Sequence, residues 1–252
     1  MFDIDIAMTA VLRPEVLDRT LYSFCNKLFV KRNNIRLIMN IDMVGENISP
    51  SEVEKVAAKY FNHLDVTVSE TPNFPKAVYS VWSRCEANYV FHLEDDWHIE
   101  RKVSLTHMLE ILNKYDNLAC LRLYTYPIAN ATVQKMFTSV YDYNPEGFFV
   151  ARQREGQFGL QTNMIRIKFI KQVLPLFTFE FNPEKQFRTR VYPPLTAVTS
   201  VWDYAIYGKP GDDVLIKNIG DEWKNKVGLR KPTDRGSHRF LVWERFKEDK
   251  IK

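Results

Sequence analysis

The chain has 252 residues, of which 45% are hydrophobic and 13% aromatic, and a net charge of +4. This composition supplies one substantial hydrophobic core or two small ones, and we expect a single α/β domain with a C-terminal extension. The apolar runs are too short to span a membrane, and the N-terminal MFDIDIAMTA carries acids where a secretory signal carries basic residues. We therefore expect a soluble, intracellular protein of the cytoplasm, or of the host cytoplasm if the chain is viral.

The cysteines and the charge distribution indicate which kinds of site the protein could contain. Cys25, Cys85 and Cys120 are odd in number and lack CxxC spacing, which argues against a disulfide framework or a zinc cluster and favours buried free thiols. The segment from Lys217 onward contains 11 Lys or Arg and 6 Asp or Glu. An anion-binding surface would involve this basic segment, and a solvated, frayed C-terminus is the alternative.

The first half of the chain alternates strand and helix patterns. Short apolar runs predict strands, and apolar residues at helical spacing predict helices. Pro14 suits the first turn of the first helix, and Ser49 followed by Pro50 marks the start of the second. The strands are predicted at 3–12, 35–42, 64–70, 89–93 and 118–126, and the helices at 15–29, 49–61, 76–87 and 104–115.

Continuous apolar strands joined by amphipathic helices predict a largely parallel sheet that is covered by helices on both faces. In such sheets, ligands bind outside the carboxyl ends of the strands. Three acidic features fall at predicted strand ends, namely Asp42, Glu70 and the run from Glu94 to Asp96. The sequence thus predicts an acidic ligand site at one edge of the sheet.

The second half of the chain is less regular. GFFVARQ, at 147–153, predicts a strand, and IKFIKQVLPLF, at 167–177, predicts a helix. No internal repeat, low-complexity segment or clear linker interrupts the sequence. We expect a single domain over residues 1–252, divided into a regular half at 1–126, a variable half at 127–216 and the basic segment at 217–252.

The acidic run lies in LEDDW and directly follows an apolar strand. Three adjacent carboxylates repel one another, and their burial is unfavourable unless a cation is present. An exposed loop, or caps for the helix that begins near Val103, would explain the run without any ligand. The preceding strand and the following Trp97 favour a functional site. Carboxylate oxygens suit Mg²⁺ or Mn²⁺ held together with substrate phosphates, so we expect a cation and diphosphate site.

Four segments, taken in order, resemble a known family. They are MTAVLRPEVLDRTLYS in and after the first strand, NID at the end of the second, SETPNFPKAVYSVW, and FHLEDDW at the end of the fourth. Over roughly residues 4–125 the chain resembles the GT-A glycosyltransferases, particularly the family 2-like group. The resemblance implies a GT-A (Rossmann-like) fold, with a mixed, mostly parallel sheet flanked by helices. Residues 1–126 would then be the nucleotide-sugar-binding half, and the less regular 127–216 the acceptor-side half.

The resemblance implies donor-binding roles for several residues. Thr9 and Arg13 would flank the nucleotide, and Asp42 would hydrogen-bond the base or the ribose. Lys76, before the third helix, would lie near the nucleotide or its phosphates. A turn cap for Asp42 and a surface charge for Arg13 are the alternatives.

Under the same resemblance, the acidic run takes the place of a DxD-type motif. Glu94 and Asp96 correspond to its two acids, Asp95 stands between them, and all three belong to the donor site. Asp96 is the first choice as ligand of Mn²⁺ or Mg²⁺, with Glu94 as a second ligand. His238, in DRGSHRF, resembles the C-terminal histidine that completes the metal shell in several GT-A enzymes, and a surface position is the alternative.

Glycosyl transfer needs a general base, which in family 2-like enzymes is an acid of the second half. Glu184, in FEFNPEKQF, is the preferred candidate because NPE predicts the start of a helix that presents its acid near the cleft. An acid that only stabilises that first turn is the alternative. The other candidates are Glu180, Asp203, Asp212 and Asp213.

The resemblance therefore implies a metal-dependent hexosyl- or pentosyltransferase that moves a sugar from a nucleotide sugar, with a UDP-sugar as first choice, to an acceptor hydroxyl. The transfer is inverting if the family 2 resemblance holds, and the residues alone leave inversion or retention open. The acceptor is a glycan or, given the aromatic and arginine-rich GFFVARQREGQFGLQTN, a hydroxymethylated DNA base. A nucleotidyltransferase is an alternative, although MTAVLRPEVL lacks a glycine-rich loop. The others are a metal-dependent nuclease and a non-catalytic nucleotide-sugar or nucleic-acid binding module.

Overall fold

The computed structural model describes residues 2–30, 34–126, 131–230 and 244–245. The strands of the first half are β1 (Ile4–Leu12), β2 (Ile35–Gly45), β3 (Leu64–Ser69), β4 (Tyr89–Glu94), β5 (Trp97–Ile99) and β6 (Leu118–Leu123). The helices between them are α1 (Pro14–Lys27), α2 (Pro50–Ala58), α3 (Phe74–Ser83) and α4 (Leu105–Lys114). All the elements predicted for this half are present, and β5 is an addition.

The second half contains shorter elements. Its strands are β7 (Tyr141–Asn144), β8 (Phe148–Ala151), β9 (Asn163–Arg166), β10 (Asp203–Tyr207), β11 (Ile216–Asn218), β12 (Leu229–Arg230) and β13 (Glu244–Arg245). Its helices are α5 (Ala131–Val140), α6 (Ile167–Val173), α7 (Pro193–Thr199) and α8 (Gly220–Val227). Two 3-10 turns lie at Leu174–Leu176 and Lys185–Phe187.

The starts of the first-half helices are fixed by local chemistry. Pro14 occupies the first turn of α1, where its missing N–H costs no hydrogen bond. The side chains of Ser49, Asn73 and Ser104 accept hydrogen bonds from backbone N–H groups in the first turns of α2, α3 and α4. Of these, the Asn73 cap matters most for function, because it sets where α3 begins beside the carboxyl end of β2.

The described strands form a nine-stranded sheet in the order β3-β2-β1-β4-β9-β6-β10-β8-β7. Within this sheet, β8 and β9 run against the direction of the others. β9 lies between β4 and β6, where Asn163 pairs with both His92 and Arg122. The predicted α/β class with a mixed, mostly parallel sheet is confirmed, and strands of both halves share one sheet.

Helices cover both faces of the sheet. Successive side chains of β1 point to opposite faces of the sheet, so the adjacent residues Ile6 and Ala7 belong to two different hydrophobic clusters. The cluster on the Ile6 face includes side chains of α1, α2 and α4, and the cluster on the Ala7 face includes side chains of α3, α6 and α7. Cys85 and Cys120 are buried and Cys25 is half-buried, all three as free thiols. The longest helix of the described residues, α1, has 14 residues, and none of these helices can cross a membrane.

Two predictions for the second half need correction. The helix predicted over 167–177 ends at Val173 and continues as a 3-10 turn, because Pro175 cannot donate the backbone hydrogen bond that another α-helical turn needs. Glu184 does not begin an α-helix but precedes the 3-10 turn Lys185–Phe187. The strand predicted within 147–153 is confirmed as β8.

Candidate active site

The carboxyl ends of β1, β2 and β4 meet at one edge of the sheet. The strands are parallel, and their register sets Thr9 opposite Glu94 and Val11 opposite Asp42. Thr9 and Asp42 are buried, and Glu94 is half-buried. Side chains from three distant parts of the sequence therefore lie together where a ligand of an α/β sheet is expected.

Asp95 faces the protein interior and anchors the turn after β4. The Arg13 guanidinium donates to both of its carboxylate oxygens, with Nε 2.9 Å from Oδ2. The backbone N–H of Val11 also donates to Oδ2, at 2.9 Å. The hydroxyl of Thr20 donates to the Asp95 carbonyl oxygen, at 2.8 Å. Both carboxylate oxygens of Asp95 thus accept hydrogen bonds within the protein and hold the Arg13 guanidinium in place, and the predicted donor role of Asp95 stays a prediction.

Asp96 has one engaged and one unengaged carboxylate oxygen. Its Oδ2 lies 3.1 Å from Arg13 Nη2, and its backbone carbonyl accepts a hydrogen bond from the Ile219 N–H at 2.7 Å. Its Oδ1 is buried, and no hydrogen-bond donor among the described residues reaches it. A buried carboxylate oxygen without a donor is costly unless a cation or water satisfies it.

Arg13 supplies the positive charge at this edge. Burial disfavours its charged form, but the ion pairs with Asp95 and Asp96 outweigh that effect and raise the pKa of Arg13 above its usual value. The guanidinium therefore stays charged. Among the described residues, the Arg13 guanidinium contacts the carboxylates of both Asp95 and Asp96, next to the half-buried Glu94.

The C-terminal helix α8 forms a wall of the site. β11 pairs with β5, which directly follows the acidic turn, and this pairing brings the start of α8 against Asp96. A Cβ atom on Gly220 would lie 2.3 Å from Asp96 Oδ2, so only glycine fits there. Trp223 packs over the Arg13 guanidinium at 5.3 Å, and its indole N–H donates to Glu46 Oε1 at 2.7 Å. The sequence prediction missed Gly220, Trp223 and Glu46, and a tryptophan among the charged residues of GDEWKNK was the available signal.

Asp42 holds the loop that leads into α3. Its Oδ2 accepts a hydrogen bond from the Asn73 N–H, and its Oδ1 accepts one from the side-chain amide of Asn40, both at 3.0 Å. Burial raises the pKa of Asp42 to about 6, even though these hydrogen bonds oppose the shift. Lys76, in the first turn of α3, is exposed, and its ammonium lies 6.0 Å from the centre of the exposed Phe179 ring.

Glu184 lies beside the start of β9. A Cβ atom built on Gly159 would be 3.5 Å from Glu184 Oε1 and 2.5 Å from Arg122 Nη1, so both side chains flank this glycine. The side-chain oxygen of Asn182 accepts a hydrogen bond from the Glu184 N–H at 3.0 Å. Asn163, the first residue of β9, donates from its side chain to the Gly159 carbonyl at 2.8 Å. The structure thus places Glu184 next to β6 and β9, and β9 is the neighbour of β4, which carries the acidic turn.

The other candidate bases are placed differently. Asp203 begins β10, at the end of the sheet opposite to the acidic turn, and pairs with Arg154. Asp212 follows β10 and pairs with Arg101. Asp213 is exposed, and its carboxylate accepts a hydrogen bond from the Val214 N–H. Glu180 is exposed.

The described residues fit a cation that is held largely by a substrate. They contain no group of three or more His, Cys, Asp or Glu side chains that could form a complete metal shell. Asp96 Oδ1 offers one free, buried carboxylate oxygen, and Mg²⁺-type cations are often bound by one or two carboxylates plus substrate phosphates. His238, predicted as a further ligand, lies outside the described residues.

Comparisons with known proteins give structural neighbours. No family model and no curated protein matches the chain. The structure of S. aureus TarS residues 1–349 aligns with a TM-score of 0.57 at 15% identity, over 90% of this chain and 63% of that one. The same part of TarS in complex with UDP-GlcNAc aligns with a TM-score of 0.56 at 13% identity, over 85% and 58% of the two chains.

A further neighbour is the mannosyltransferase PcManGT from Pyrobaculum calidifontis, in complex with GDP-Man and Mn²⁺. It aligns with a TM-score of 0.51 at 9% identity, over 68% of this chain and 46% of that one. The chain therefore spans less than two thirds of the length of each of these neighbours. At such low identities the likeness shows a shared fold, and it agrees with the architecture predicted from the sequence.

Proposed function

We propose that this chain is a metal-dependent glycosyltransferase that moves a sugar, a hexose or a pentose, from a UDP-sugar to an acceptor hydroxyl. The observation that carries the proposal is the buried Oδ1 of Asp96 at the carboxyl end of β4, which no donor from the described part of the chain reaches. It occurs in a fold shared with TarS, which is seen with UDP-GlcNAc, and with a mannosyltransferase that is seen with GDP-Man and Mn²⁺.

The donor would bind across the carboxyl ends of β1, β2 and β4. In this proposal, Thr9 and Glu94 contact the nucleoside, and Asp42 accepts a hydrogen bond from the base or ribose. Their adjacency in the strand register supports a common ligand. Lys76 would attract the phosphates from the exposed first turn of α3, and Arg13 would keep the site from accumulating negative charge.

Asp96, with Glu94, would hold Mn²⁺ or Mg²⁺ together with the diphosphate. When bound, such a cation neutralises the charge that develops on the leaving group. The unengaged Oδ1 of Asp96 supports its role as first ligand. Asp95 is left out of the ligand set, because Arg13 and Val11 already donate to its oxygens.

Glu184 would act as the general base. Its carboxylate would take the proton of the acceptor hydroxyl, which then attacks the anomeric carbon from the side opposite the diphosphate and inverts its configuration. Its position beside Gly159 and Arg122, two strands away from the acidic turn, supports this role. We also propose that the whole chain works as one domain, with 1–126 binding the donor and 127–216 the acceptor.

One structural observation disfavours the nucleotidyltransferase alternative. Arg13 alone separates the end of β1 from the start of α1, so no glycine-rich loop is available there to cradle a triphosphate. A non-catalytic binding module with the same donor site remains as an outcome of the experiment below.

The experiment compares thermal shifts and sugar transfer for wild type, Asp96→Asn and Glu52→Gln, with UDP-, GDP- and CDP-sugars and with or without Mn²⁺. Glu52 is an exposed residue of α2 paired with Lys55, so its variant is the matched charge-removal control. We expect UDP with Mn²⁺ to stabilise wild type and Glu52→Gln but not Asp96→Asn. Undiminished transfer by Asp96→Asn would contradict the metal role, and binding without turnover would indicate a non-catalytic module.

A further inference from the structure

A cavity of about 220 Å³ lies at the carboxyl ends of β6 and β10. Its lining includes Arg122, Tyr124, Tyr126, Phe137, Tyr141 and Gln161. The volume is below the roughly 300–1,000 Å³ of sites for drug-sized ligands, so it suits a single ring rather than an extended molecule.

The cavity lies close to the acidic turn. Asn163 of β9 pairs with His92 of β4 on one side and with Arg122 of β6 on the other. His92 and Arg122 therefore lie at the same position along the direction of the strands. Glu94 and Tyr124 each follow two residues later. Two strand spacings of about 4.8 Å separate β4 from β6, so the cavity and the acidic turn are roughly 10 Å apart. A sugar attached to a diphosphate at Asp96 would therefore be within reach of a ring in the cavity.

The cavity lining combines aromatic faces with a few polar groups. Phe137 and Tyr141 are stacked, with ring centres 4.7 Å apart. Arg122 Nη2 donates to the Tyr141 hydroxyl at 3.2 Å, and Tyr126 is 56% exposed. The Gln161 side chain adds an amide donor and acceptor. Hydroxyl-bearing sugar rings match such a lining, because they offer C–H faces to aromatic rings and hydroxyls to amide and guanidinium groups.

The charges that the described residues place around the cavity do not suit a nucleic acid. Among the described residues of the lining, Arg122 is the single charged one. On the other side, the Tyr124 hydroxyl donates to the backbone carbonyl of Asp213, and Asp212 lies nearby in an ion pair with Arg101. Nucleic-acid binding depends on several Lys or Arg contacts with phosphates, and the described lining offers one such side chain.

We propose that this cavity binds the acceptor and that the acceptor is a hexose unit of a glycan rather than a DNA base. The inference rests on the proposed function, which it deepens by naming the substrate class. Arg122 and Gln161 orient the ring by hydrogen bonds, and Tyr126 covers one face of it. The side chains of Glu184 and Arg122 both flank Gly159. Because Arg122 lines the cavity, Glu184 acts as the base for a hydroxyl of the acceptor bound there.

The experiment measures binding without catalysis, by saturation-transfer NMR. The probes are the methyl glycosides of glucose, galactose, mannose and N-acetylglucosamine, and a single-stranded oligonucleotide that contains 5-hydroxymethylcytosine. The variants are Gln161→Ala and Tyr126→Ala, and the matched control is Gln153→Ala, since Gln153 is exposed outside the cavity. Circular dichroism melting confirms that each variant is folded.

We expect at least one glycoside to bind wild type and Gln153→Ala equally. Affinity should fall roughly twofold to tenfold in Gln161→Ala, because a lost hydrogen bond costs about 0.5–1.5 kcal/mol. A similar fall is expected in Tyr126→Ala from lost ring contact. All four proteins should keep the thermal shift with UDP and Mn²⁺.

Three results would overturn the inference: no glycoside binds, Gln161→Ala binds a glycoside as wild type does, or the oligonucleotide binds and no glycoside displaces it. A missing shift with UDP and Mn²⁺ in wild type would instead count against the proposed function. The glycoside measurements would still decide what the cavity holds in that case.

Discussion

Asp95 and Asp96 are adjacent in the sequence, yet they have different surroundings. Asp95 accepts hydrogen bonds from Arg13 and Val11 on both carboxylate oxygens, whereas one oxygen of Asp96 has no donor within residues 2–30, 34–126, 131–230 and 244–245. Both acids lie in the turn after β4 and contact the same Arg13 guanidinium, but the backbone N–H of Val11 donates to Asp95 as well. We therefore predict that Asp95 contributes more to stability, and under the proposed function Asp96 binds the ligand.

This assignment predicts that Asp95→Asn lowers the free energy of unfolding by about 3 kcal/mol, because breaking a buried ion pair leaves the Arg13 charge poorly compensated. Asp96→Asn should cost less, since it removes the weaker of the two Arg13 contacts. Urea unfolding of both variants at pH 7 measures the difference. Equal losses in the two variants would contradict the division of roles.

Asp42 predicts a pH dependence of stability. Its pKa is about 6 in the folded protein against the ordinary 3.8, so the folded state holds the proton more tightly than the unfolded chain does. The stability that protonated Asp42 contributes is present below about pH 4 and is lost as the pH rises through about 6. Over this window the loss amounts to about 3 kcal/mol, from roughly two pKa units at 1.36 kcal/mol each.

The measurement compares urea unfolding of wild type and Asp42→Asn at pH 4 and pH 7. The variant cannot ionise at this position, so the difference in unfolding free energy should move in its favour by about 3 kcal/mol between the two pH values. A difference that is the same at both pH values would show that Asp42 ionises normally.

At the scale of elements, α8 and the acidic turn depend on a glycine. We predict that Gly220→Ala lowers the unfolding free energy by about 1–3 kcal/mol, as overpacking does, because its Cβ would lie 2.3 Å from Asp96 Oδ2. It should also weaken the Mn²⁺-dependent thermal shift with UDP by displacing Asp96. Asn225→Ala, at an exposed position of the same helix, is the control. A fully stable variant with an unchanged shift would show that α8 moves freely from the site.

Elements also show how far the sequence could predict the structure. The first half was predictable because β1 to β4 and α1 to α4 have strong local periodicity and clear start signals. β9 was not, because it has four residues and its place between β4 and β6 follows from pairing with segments far away in the chain. Gly220 and Trp223 were not predicted as site residues for the same reason, because they contact Asp96 and Arg13, which are far away in the sequence.

At the scale of the whole molecule, the two halves share the sheet and both hydrophobic clusters. We predict that a fragment of residues 1–126 does not fold by itself, because β4 would lose its pairing with β9 and the packing of α6 over Val90 and Trp82. Circular dichroism during urea unfolding measures this, with the full chain as the control. A cooperative transition of the fragment, with a slope appropriate to its size, would contradict the prediction.

The position of β9 also bears on how the chain is made. β4 and β6 leave the ribosome before the strand that joins them, and contacts between distant segments form slowly. Until Arg166 has been synthesised, β4 keeps an unpaired edge with apolar residues on both faces. Such an edge promotes aggregation of the nascent chain. The centre of the sheet is therefore where a chaperone that binds during translation would offer the most protection.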